Sequence, residues 1–311
     1  MKAKLVRECV SRRYEASCQG RTICFFLLCV ALICPGTCFG QRTIDPTLLR
    51  EPSGNFTFTD VRGNPSRPIV VWYCRSEFID TDTNLVFVMH GSESRTAREV
   101  CELAAPYVRA HNVLVIAPQF SEADYPGNSY VFGHMANRNG VILPQSQWGL
   151  AVIEHLFDSL RGGLRLKTVS YDIVGFSGGG QFVHRLVLFL PEARYRRAVA
   201  ASPGRYAFPT SSVRFPYGLG RSPTDSAALG RIFARDFILV LGDRDTSDRT
   251  REAEAMTQGK NRLARGLRFF ATATEEAGAR GVPLHWQLQL VNGAGHNPVS
   301  MVRTTLELLT K

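Results

Sequence analysis

Short runs of apolar, often β-branched residues recur along the chain from about residue 68, with stretches of helical periodicity between them. Runs of this length predict buried strands, and their alternation with helices is typical of a mostly parallel sheet flanked by helices. The sequence therefore predicts the α/β fold class. Strands are predicted over 69–74, 85–89, 113–117, 170–174, 197–201, 237–241 and 286–291. Helices are predicted over 147–160 and 180–190.

Two long stretches, 119–143 and 204–230, depart from this alternation and are rich in Gly, Pro, Ser, Tyr and Phe. Loops of this length in a compact domain usually have a function. Open parallel sheets bind ligands at the carboxyl ends of their strands. We interpret the two stretches as short cap excursions that form the walls of a substrate cleft, with plain surface loops as the alternative.

The first forty residues have a different pattern from the rest of the chain. Six basic residues precede or border an apolar run over 23–34, which Pro35 and Gly36 interrupt. The run fits the roughly 7–15 residues of a signal peptide's apolar region and is shorter than the ~20 residues of a membrane-spanning helix. We predict a signal peptide over 1–40, cleaved after Gly40, and hence a secreted or periplasmic protein. An uncleaved membrane anchor is the alternative. An N-terminal extension over 41–67 and one large domain over 68–311 follow.

The charge of the chain gives little indication of a macromolecular partner. The formal net charge is +10, and six basic and two acidic residues of the predicted signal peptide leave about +6 on the remainder. The basic residues are scattered, without the interleaved aromatic residues of a single-strand-binding surface. We expect a solvated basic surface and no nucleic-acid partner. Membrane contact is expected only through an uncleaved signal peptide.

Six of the eight cysteines lie within the predicted signal peptide, which leaves Cys74 and Cys101. An exported protein could pair these two cysteines in an oxidising compartment. The sequence does not show whether their Cα atoms come close enough for a disulfide. Two unpaired, half-buried thiols are the equal alternative.

A Gly-Phe-Ser-Gly-Gly segment over 175–179 stands where a predicted buried strand ends and a helix begins. A sharp strand-to-helix turn forces its serine into a strained backbone conformation, and the flanking glycines remove side chains that would collide. This context predicts Ser177 as an exposed nucleophile. The N–H of Gly178, at the start of the helix, is expected to face a developing oxyanion. A Gly-Ser-Gly turn without catalysis is the alternative.

Candidate acid and base residues follow the ends of the last two predicted strands. His296 stands in a glycine-rich loop after the strand over 286–291, and three aspartates follow the strand over 237–241: Asp243, Asp245 and Asp248. Both strand ends are expected at the same edge of the sheet as Ser177. His296 is predicted to accept the serine proton, while a carboxylate holds the imidazole in the required tautomer. Any of the three aspartates could be directed inward.

Together, His90-Gly91, the segments over 175–179 and 242–245, and Gly295-His296 resemble the α/β-hydrolase superfamily over nearly all of 68–311. The resemblance implies a nucleophile, acid, base order along the chain and favours Asp245, three residues after Gly242, as the acid. It also implies that the N–H of Ser92 is the second oxyanion donor, with Gly91 shaping the turn and His90 structural. Within the superfamily, the chain looks most like the esterase, polyhydroxyalkanoate-depolymerase and dienelactone-hydrolase branches.

The function predicted is therefore an exported serine hydrolase that cleaves carboxylic esters through an acyl-enzyme, with a small molecule or a polyester as substrate. No cofactor is expected, because the chain has no His-Glu-x-x-His, Cys-x-x-Cys or dinucleotide-binding motif in a suitable context. The alternatives are a peptidase or acyltransferase with the same three residues, and a non-catalytic binding protein of this fold.

Overall fold

The computed structural model describes residues 43–93, 96–247 and 252–310. The predicted signal peptide over 1–40 lies outside the described residues, and so does the candidate acid Asp248.

One sheet of eight strands runs through the described residues. Its strands are β1 (Ser53–Phe58), β2 (Ile69–Arg75), β3 (Asn84–Met89), β4 (Val113–Gln119), β5 (Tyr171–Phe176), β6 (Tyr195–Ala201), β7 (Phe237–Gly242) and β8 (Gln287–Val291). The spatial order is β1-β2-β4-β3-β5-β6-β7-β8, in which β2 is antiparallel to both neighbours and the strands from β4 to β8 are parallel. The prediction of an α/β fold with a mostly parallel sheet is confirmed.

Strand β1 lies within 41–67, the stretch that the sequence pattern assigns to an N-terminal extension. It pairs with β2 over six residues, from Ser53 opposite Cys74 to Phe58 opposite Ile69. Only Phe56 and Phe58 of this edge strand are buried. Two buried residues in alternation are too few to separate such a strand from a loop by pattern alone.

Seven α-helices cover the sheet in the described residues. They are α1 (Thr96–Ala110), α2 (Gly149–Leu164), α3 (Gly178–Phe189), α4 (Leu229–Phe233), α5 (Ala253–Gln258), α6 (Arg262–Arg280) and α7 (Pro298–Glu307). Helices α1 and α7 pack on one face of the sheet, and α2, α3 and α6 contribute to the core on the other. No helix of the described residues has both the length and the apolar character needed to cross a membrane.

The two faces explain why the strands read as continuous apolar runs. In β3, Leu85, Phe87 and Met89 contribute to one core cluster and Val86 and Val88 to the other, and all five are at most 1% exposed. A parallel strand that is buried on both faces has no polar positions to alternate with. The carboxyl ends of β3, β5, β7 and β8 therefore meet at one edge of the sheet.

The two predicted excursions lie outside the sheet, as expected. The first contains turns and an isolated bridge between Ala136 and Ile142, and the second contains bridges from Phe208 to Gly218 and from Arg214 to Gly220. Neither forms a separate layer of strands. Both continue from the carboxyl ends of strands, β4 and β6, which places them at the edge of the sheet where Ser177 stands.

Candidate active site

Ser177 occupies a tight turn between β5 and α3, with φ 56° and ψ −112°. A residue with a side chain adopts positive φ only where its surroundings enforce it. The Ser177 N–H donates to Ala201 O at 2.9 Å, which ties the turn to β6. A Cβ at Gly175 would lie 2.4 Å from the carbonyl carbon of Gly179, and one at Gly179 would lie 2.1 Å from Met89 O. Only glycine allows helix and strands to approach this closely.

His296 lies in the loop between β8 and α7 and contacts both Ser177 and Asp245. Its Nε2 is 3.0 Å from Ser177 Oγ, and its Nδ1 is 2.8 Å from Asp245 Oδ2. The imidazole packs against the ring of Phe176, with ring centroids 4.6 Å apart. The side chain of His296 is 23% exposed, whereas that of Asp245 is 1% exposed. The structure therefore forms one hydrogen-bonded chain from a buried carboxylate to a partly exposed hydroxyl.

The carboxylate that hydrogen-bonds to His296 is that of Asp245 and not that of Asp243. The second oxygen of Asp245, Oδ1, is 3.5 Å from Arg262 Nη1, so both of its oxygens face donors. Asp243 donates its backbone N–H to Val291 O. Within the described residues, its buried Oδ1 has no hydrogen-bond partner. The turn that follows β7 thus directs the third residue after Gly242 toward the histidine.

The two predicted oxyanion donors lie side by side. A Cβ at Gly178 would be 2.5 Å from the amide nitrogen of Ser92, so the loop after β3 touches the first turn of α3. Within the described residues, neither of these two amides donates to another group. The N–H of Gly91 instead donates to Thr96 Oγ1 at 3.1 Å, which leaves Gly91 to shape the turn. The positive end of the α3 dipole adds to the potential at this point.

His90 supports the loop of Gly91 and Ser92 and is fully buried. Its Nδ1 donates to Gly91 O at 2.6 Å, and its Nε2 accepts from the Phe120 N–H at 3.1 Å. Tyr130 stacks on the imidazole with centroids 4.1 Å apart and donates its hydroxyl to His90 O. Burial lowers the pKa of His90 to about 4, so the ring is neutral and can serve as donor and acceptor together. The support by Tyr130 has no signal in the sequence, because 40 residues separate the two.

Arg205 joins three segments near the site, and sequence reasoning missed it. Its guanidinium donates to Gln181 Oε1 at 3.2 Å, to Asn128 Oδ1 at 2.9 Å and to a carboxylate oxygen of Glu252. Gln181 lies one helical turn after Ser177, Asn128 lies in the first excursion, and Glu252 precedes α5. The side chain of Arg205 is 11% exposed. The sequence indicates a role for Arg205 only through its position shortly after β6, because its partners are 24 to 77 residues away in the chain.

A second arginine, Arg185 of α3, is completely buried near Arg205. It lies over the ring of Phe132 at 4.9 Å and donates to Gln181 O. In the described residues no carboxylate forms an ion pair with it. Burial and the charge of Arg205 lower its pKa to about 9. The aromatic face of Phe132 partly replaces the missing counter-ion.

The two excursions together line a cavity of about 1120 Å³. The first contributes most of the wall, including Asn128 and Phe132, and the second contributes Phe215 and Pro216. Ser177, Asp245 and His296 do not line the cavity. Because Asn128 bonds to Arg205 and Arg205 to Gln181, these side chains connect the cavity wall to the helix that carries Ser177.

No group of three or more His, Cys, Asp and Glu side chains in the described residues is arranged to hold a metal ion. The polar atoms at the site are those of a serine, an imidazole, a carboxylate and backbone amides. Such a set can deprotonate a hydroxyl and stabilise a negative oxygen next to it.

Comparison with solved structures gives two close relatives. The chain is 36% identical to poly(aspartic acid) hydrolase-1 from Sphingomonas sp. KT-1, with a TM-score of 0.79 over 83% of this chain and 98% of that one. It is 30% identical to LpqC, a poly(3-hydroxybutyrate) depolymerase from Bordetella parapertussis, with a TM-score of 0.78 over 85% and 92% of the two chains. An S-formylglutathione hydrolase from Agrobacterium tumefaciens, 17% identical, shares the fold with a TM-score of 0.52 over 83% and 93%. No family model matches the chain, and no curated protein matches it.

Proposed function

The chain belongs to the α/β-hydrolase superfamily, and we propose that it is a serine hydrolase that cleaves carboxylic esters through Ser177, His296 and Asp245. The observation that carries the proposal is the continuous hydrogen-bonded chain of these three side chains, with distances of 3.0 Å and 2.8 Å. A buried carboxylate, an imidazole and a hydroxyl in this order are the groups that nucleophilic acyl transfer requires.

In the first step, Ser177 Oγ attacks the carbonyl carbon of the ester while His296 Nε2 accepts the hydroxyl proton. Asp245 holds the Nδ1 proton of the ring and stabilises the imidazolium that forms. The negative carbonyl oxygen of the tetrahedral intermediate is placed between the N–H groups of Gly178 and Ser92. Donors of this kind contribute about 2.7–4 kcal/mol each to the stability of the transition state.

The intermediate then collapses, and the alcohol leaves with the proton of His296. In the second step, His296 removes a proton from a water molecule, which attacks the acyl-enzyme on Ser177. The same oxyanion donors stabilise the second intermediate, and the acid product is released. An alcohol or amine in place of water would make the enzyme an acyltransferase.

A polymer is the substrate class that the similarities favour. One relative is named for poly(3-hydroxybutyrate), a polyester, and the other for poly(aspartic acid), whose units are joined by amide bonds. A polyester is our first candidate because the proposed reaction is ester hydrolysis. A polyamide is the second because the relative of higher identity is named for poly(aspartic acid).

The test is a substrate panel assayed with the full chain: p-nitrophenyl esters of graded acyl length, 3-hydroxybutyrate oligomers and poly(aspartic acid). We expect ester hydrolysis, with kcat reduced about 10³- to 10⁶-fold in Ser177→Ala and in His296→Ala. A fluorophosphonate should label Ser177. Ser53→Ala, at an exposed position of β1, serves as the matched control and should keep both activity and labelling. Cleavage of poly(aspartic acid) alone would favour the polyamide hydrolase.

Absence of both hydrolysis and labelling would leave the non-catalytic binding protein as the better explanation. Hydrolysis assayed with added methanol distinguishes a hydrolase from an acyltransferase, because a transferase would form the methyl ester in preference to the acid.

We also propose that the chain is exported by the signal peptide over 1–40. The support is the basic segment followed by an apolar run of signal-peptide length. Expression of the full chain in a bacterial host, followed by fractionation and N-terminal sequencing, tests this proposal. We expect a periplasmic or secreted product that begins at Gln41. A product that retains Met1 in the cytosolic fraction would contradict it.

A further inference from the structure

Cys74 in β2 and Cys101 in α1 meet inside the core cluster that α1 and α7 share with the sheet. Their sulfur atoms are 3.1 Å apart, and the thiol of Cys74 is 3.0 Å from Cys101 O. The two residues are 5% and 4% exposed. Apolar neighbours surround them, including Val86 and Val100. The described residues contain no other cysteine.

We propose that Cys74 and Cys101 form a disulfide bond in the exported protein. The two sulfurs need to approach by only about 1 Å to reach bonding distance. Two neighbouring thiols in an apolar site have few other roles, since a metal needs further ligands and a nucleophile needs access to solvent. The two cysteines lie on the opposite face of the sheet from the core cluster that the excursions join. Their bond does not depend on the reaction that Ser177 performs.

Formation of the bond requires an oxidant, for which a disulfide such as oxidised glutathione or a disulfide-bonded oxidoreductase suffices. The thiolate of one cysteine attacks the oxidant's disulfide, which releases one thiolate and leaves a mixed disulfide. The second cysteine then attacks the protein sulfur of that mixed disulfide and releases the other thiolate. Two protein thiols thus lose two protons and two electrons, and the oxidant is reduced to two thiols.

Burial decides when this exchange can occur. Hydrogen bonding to Cys74 and burial raise the pKa of the Cys101 thiol, so the folded protein contains very little of its thiolate. The bond should therefore form during folding, while the two residues are still accessible to the oxidant. Once folded, the protein should protect it from reductants.

The bond would fix the helix that follows the oxyanion loop. Helix α1 begins at Thr96, whose hydroxyl accepts the N–H of Gly91 and donates to Glu93 O. Cys101 lies in the second turn of the same helix and would attach it to β2. The segment that the bond would close, from Cys74 to Cys101, contains the loop of Gly91 and Ser92. The bond would restrict the conformations of the unfolded chain and limit the fraying of α1.

The direct test is mass spectrometry of the exported product, purified from the bacterial host, unfolded and then refolded with a mixture of reduced and oxidised glutathione. The refolded protein is unfolded again with iodoacetamide but without reductant and digested. We expect a linked peptide pair that contains Cys74 and Cys101. Alkylation of both residues, a mixed disulfide with glutathione or a link between two chains would each overturn the proposal.

Reduction of the oxidised protein provides a second measurement. A phosphine reductant should open the bond in denaturant but not under native conditions. Thermal unfolding of the oxidised chain should show a Tm about 5–10 °C above that of the reduced chain. The variant Cys74→Ala/Cys101→Ala is the matched control, and its Tm should not respond to prior oxidation. An equal Tm of oxidised and reduced wild-type protein would contradict the stabilising role of the bond. Whether the bond forms is determined by the mass spectrum.

Discussion

Asp245 lies in the turn after β7, with its carboxylate almost completely buried and 2.8 Å from His296 Nδ1. Its backbone N–H donates to Gly242 O, and its carbonyl accepts from the Leu263 N–H, so the residue is held at both ends. Asp243 belongs to the same turn but is bonded through its N–H to Val291. The roles of the two aspartates therefore follow from how the turn is anchored.

The two aspartates can be separated by amide substitution, which conserves size and removes the charge. In Asp245→Asn we expect kcat to fall about 10⁴-fold, because the neutral amide no longer selects the histidine tautomer or stabilises the imidazolium. Asp243→Asn is the matched control and should change kcat little. The measurement is steady-state ester hydrolysis, with circular dichroism to verify folding. A larger loss in Asp243→Asn than in Asp245→Asn would contradict the assignment.

Helix α3 begins directly after Ser177, in close contact with β3 and β6, and its first residue, Gly178, is one of the two proposed oxyanion donors. Gly179 is in close contact with the end of β3, since a Cβ there would lie 2.1 Å from Met89 O and 2.8 Å from His90 O. The glycines of this helix start thus set the separation between helix and sheet. That separation also fixes the position of Ser177 relative to Ser92.

Gly179→Ala tests this packing at the level of the element. The added methyl group meets backbone atoms that cannot rotate away, so α3 must shift. We expect a loss of about 1–3 kcal/mol in the free energy of unfolding and a decrease in kcat of about 10²-fold.

Gly278→Ala is the control for Gly179→Ala, because Gly278 also lies in a helix, α6, and a Cβ there would meet nothing within 4 Å. That substitution should stabilise the protein by about 0.5–1 kcal/mol through helix propensity. Urea unfolding of both variants gives the comparison. Equal effects of the two substitutions would contradict the close-packing argument.

Three of the four buried histidines of the described residues make the whole molecule sensitive to acid. Burial lowers the pKa of His90 and of His134 to about 4, with the charge of Arg67 contributing at His134, and it lowers the pKa of His184 as well. Each imidazole is neutral and accepts a hydrogen bond, from Phe120 N–H, Arg67 and Ala207 N–H respectively. A proton on any of them would remove that bond and leave a buried cation.

The free energy of unfolding should therefore fall as the pH decreases from 6.5 toward 4. In this range the unfolded chain binds protons that the folded histidines do not, and each such histidine contributes a slope of up to about 1.4 kcal/mol per pH unit. Above about pH 7.5 all three imidazoles are almost entirely neutral in both states, and their contribution is constant.

Urea unfolding between about pH 7.5 and pH 4.5 measures this slope. His134→Gln should reduce the slope by the contribution of one histidine, up to about 1.4 kcal/mol per pH unit, whatever its effect on stability at neutral pH. A free energy of unfolding that does not change over this range, or an unchanged slope in the variant, would contradict the prediction.

The sequence by itself determined the features that depend on neighbouring residues. Strands such as β3 and β7 could be located because residues buried on both faces of a sheet must be apolar. The elbow at Ser177 could be predicted because its backbone geometry requires glycines on both sides. Strand β1 was missed because it presents only two buried residues, Phe56 and Phe58, to the core.

Only the tertiary structure decided which distant side chains meet. Four contacts join residues far apart in the chain: those of Asp245 with His296, His90 with Tyr130, Arg205 with Asn128 and Cys74 with Cys101. Strand order and the anchoring of each turn set these distances. Strand order and the anchoring of turns leave no periodic pattern in the sequence. Both depend on pairings between different elements, whereas a periodic pattern reflects the residues within a single element.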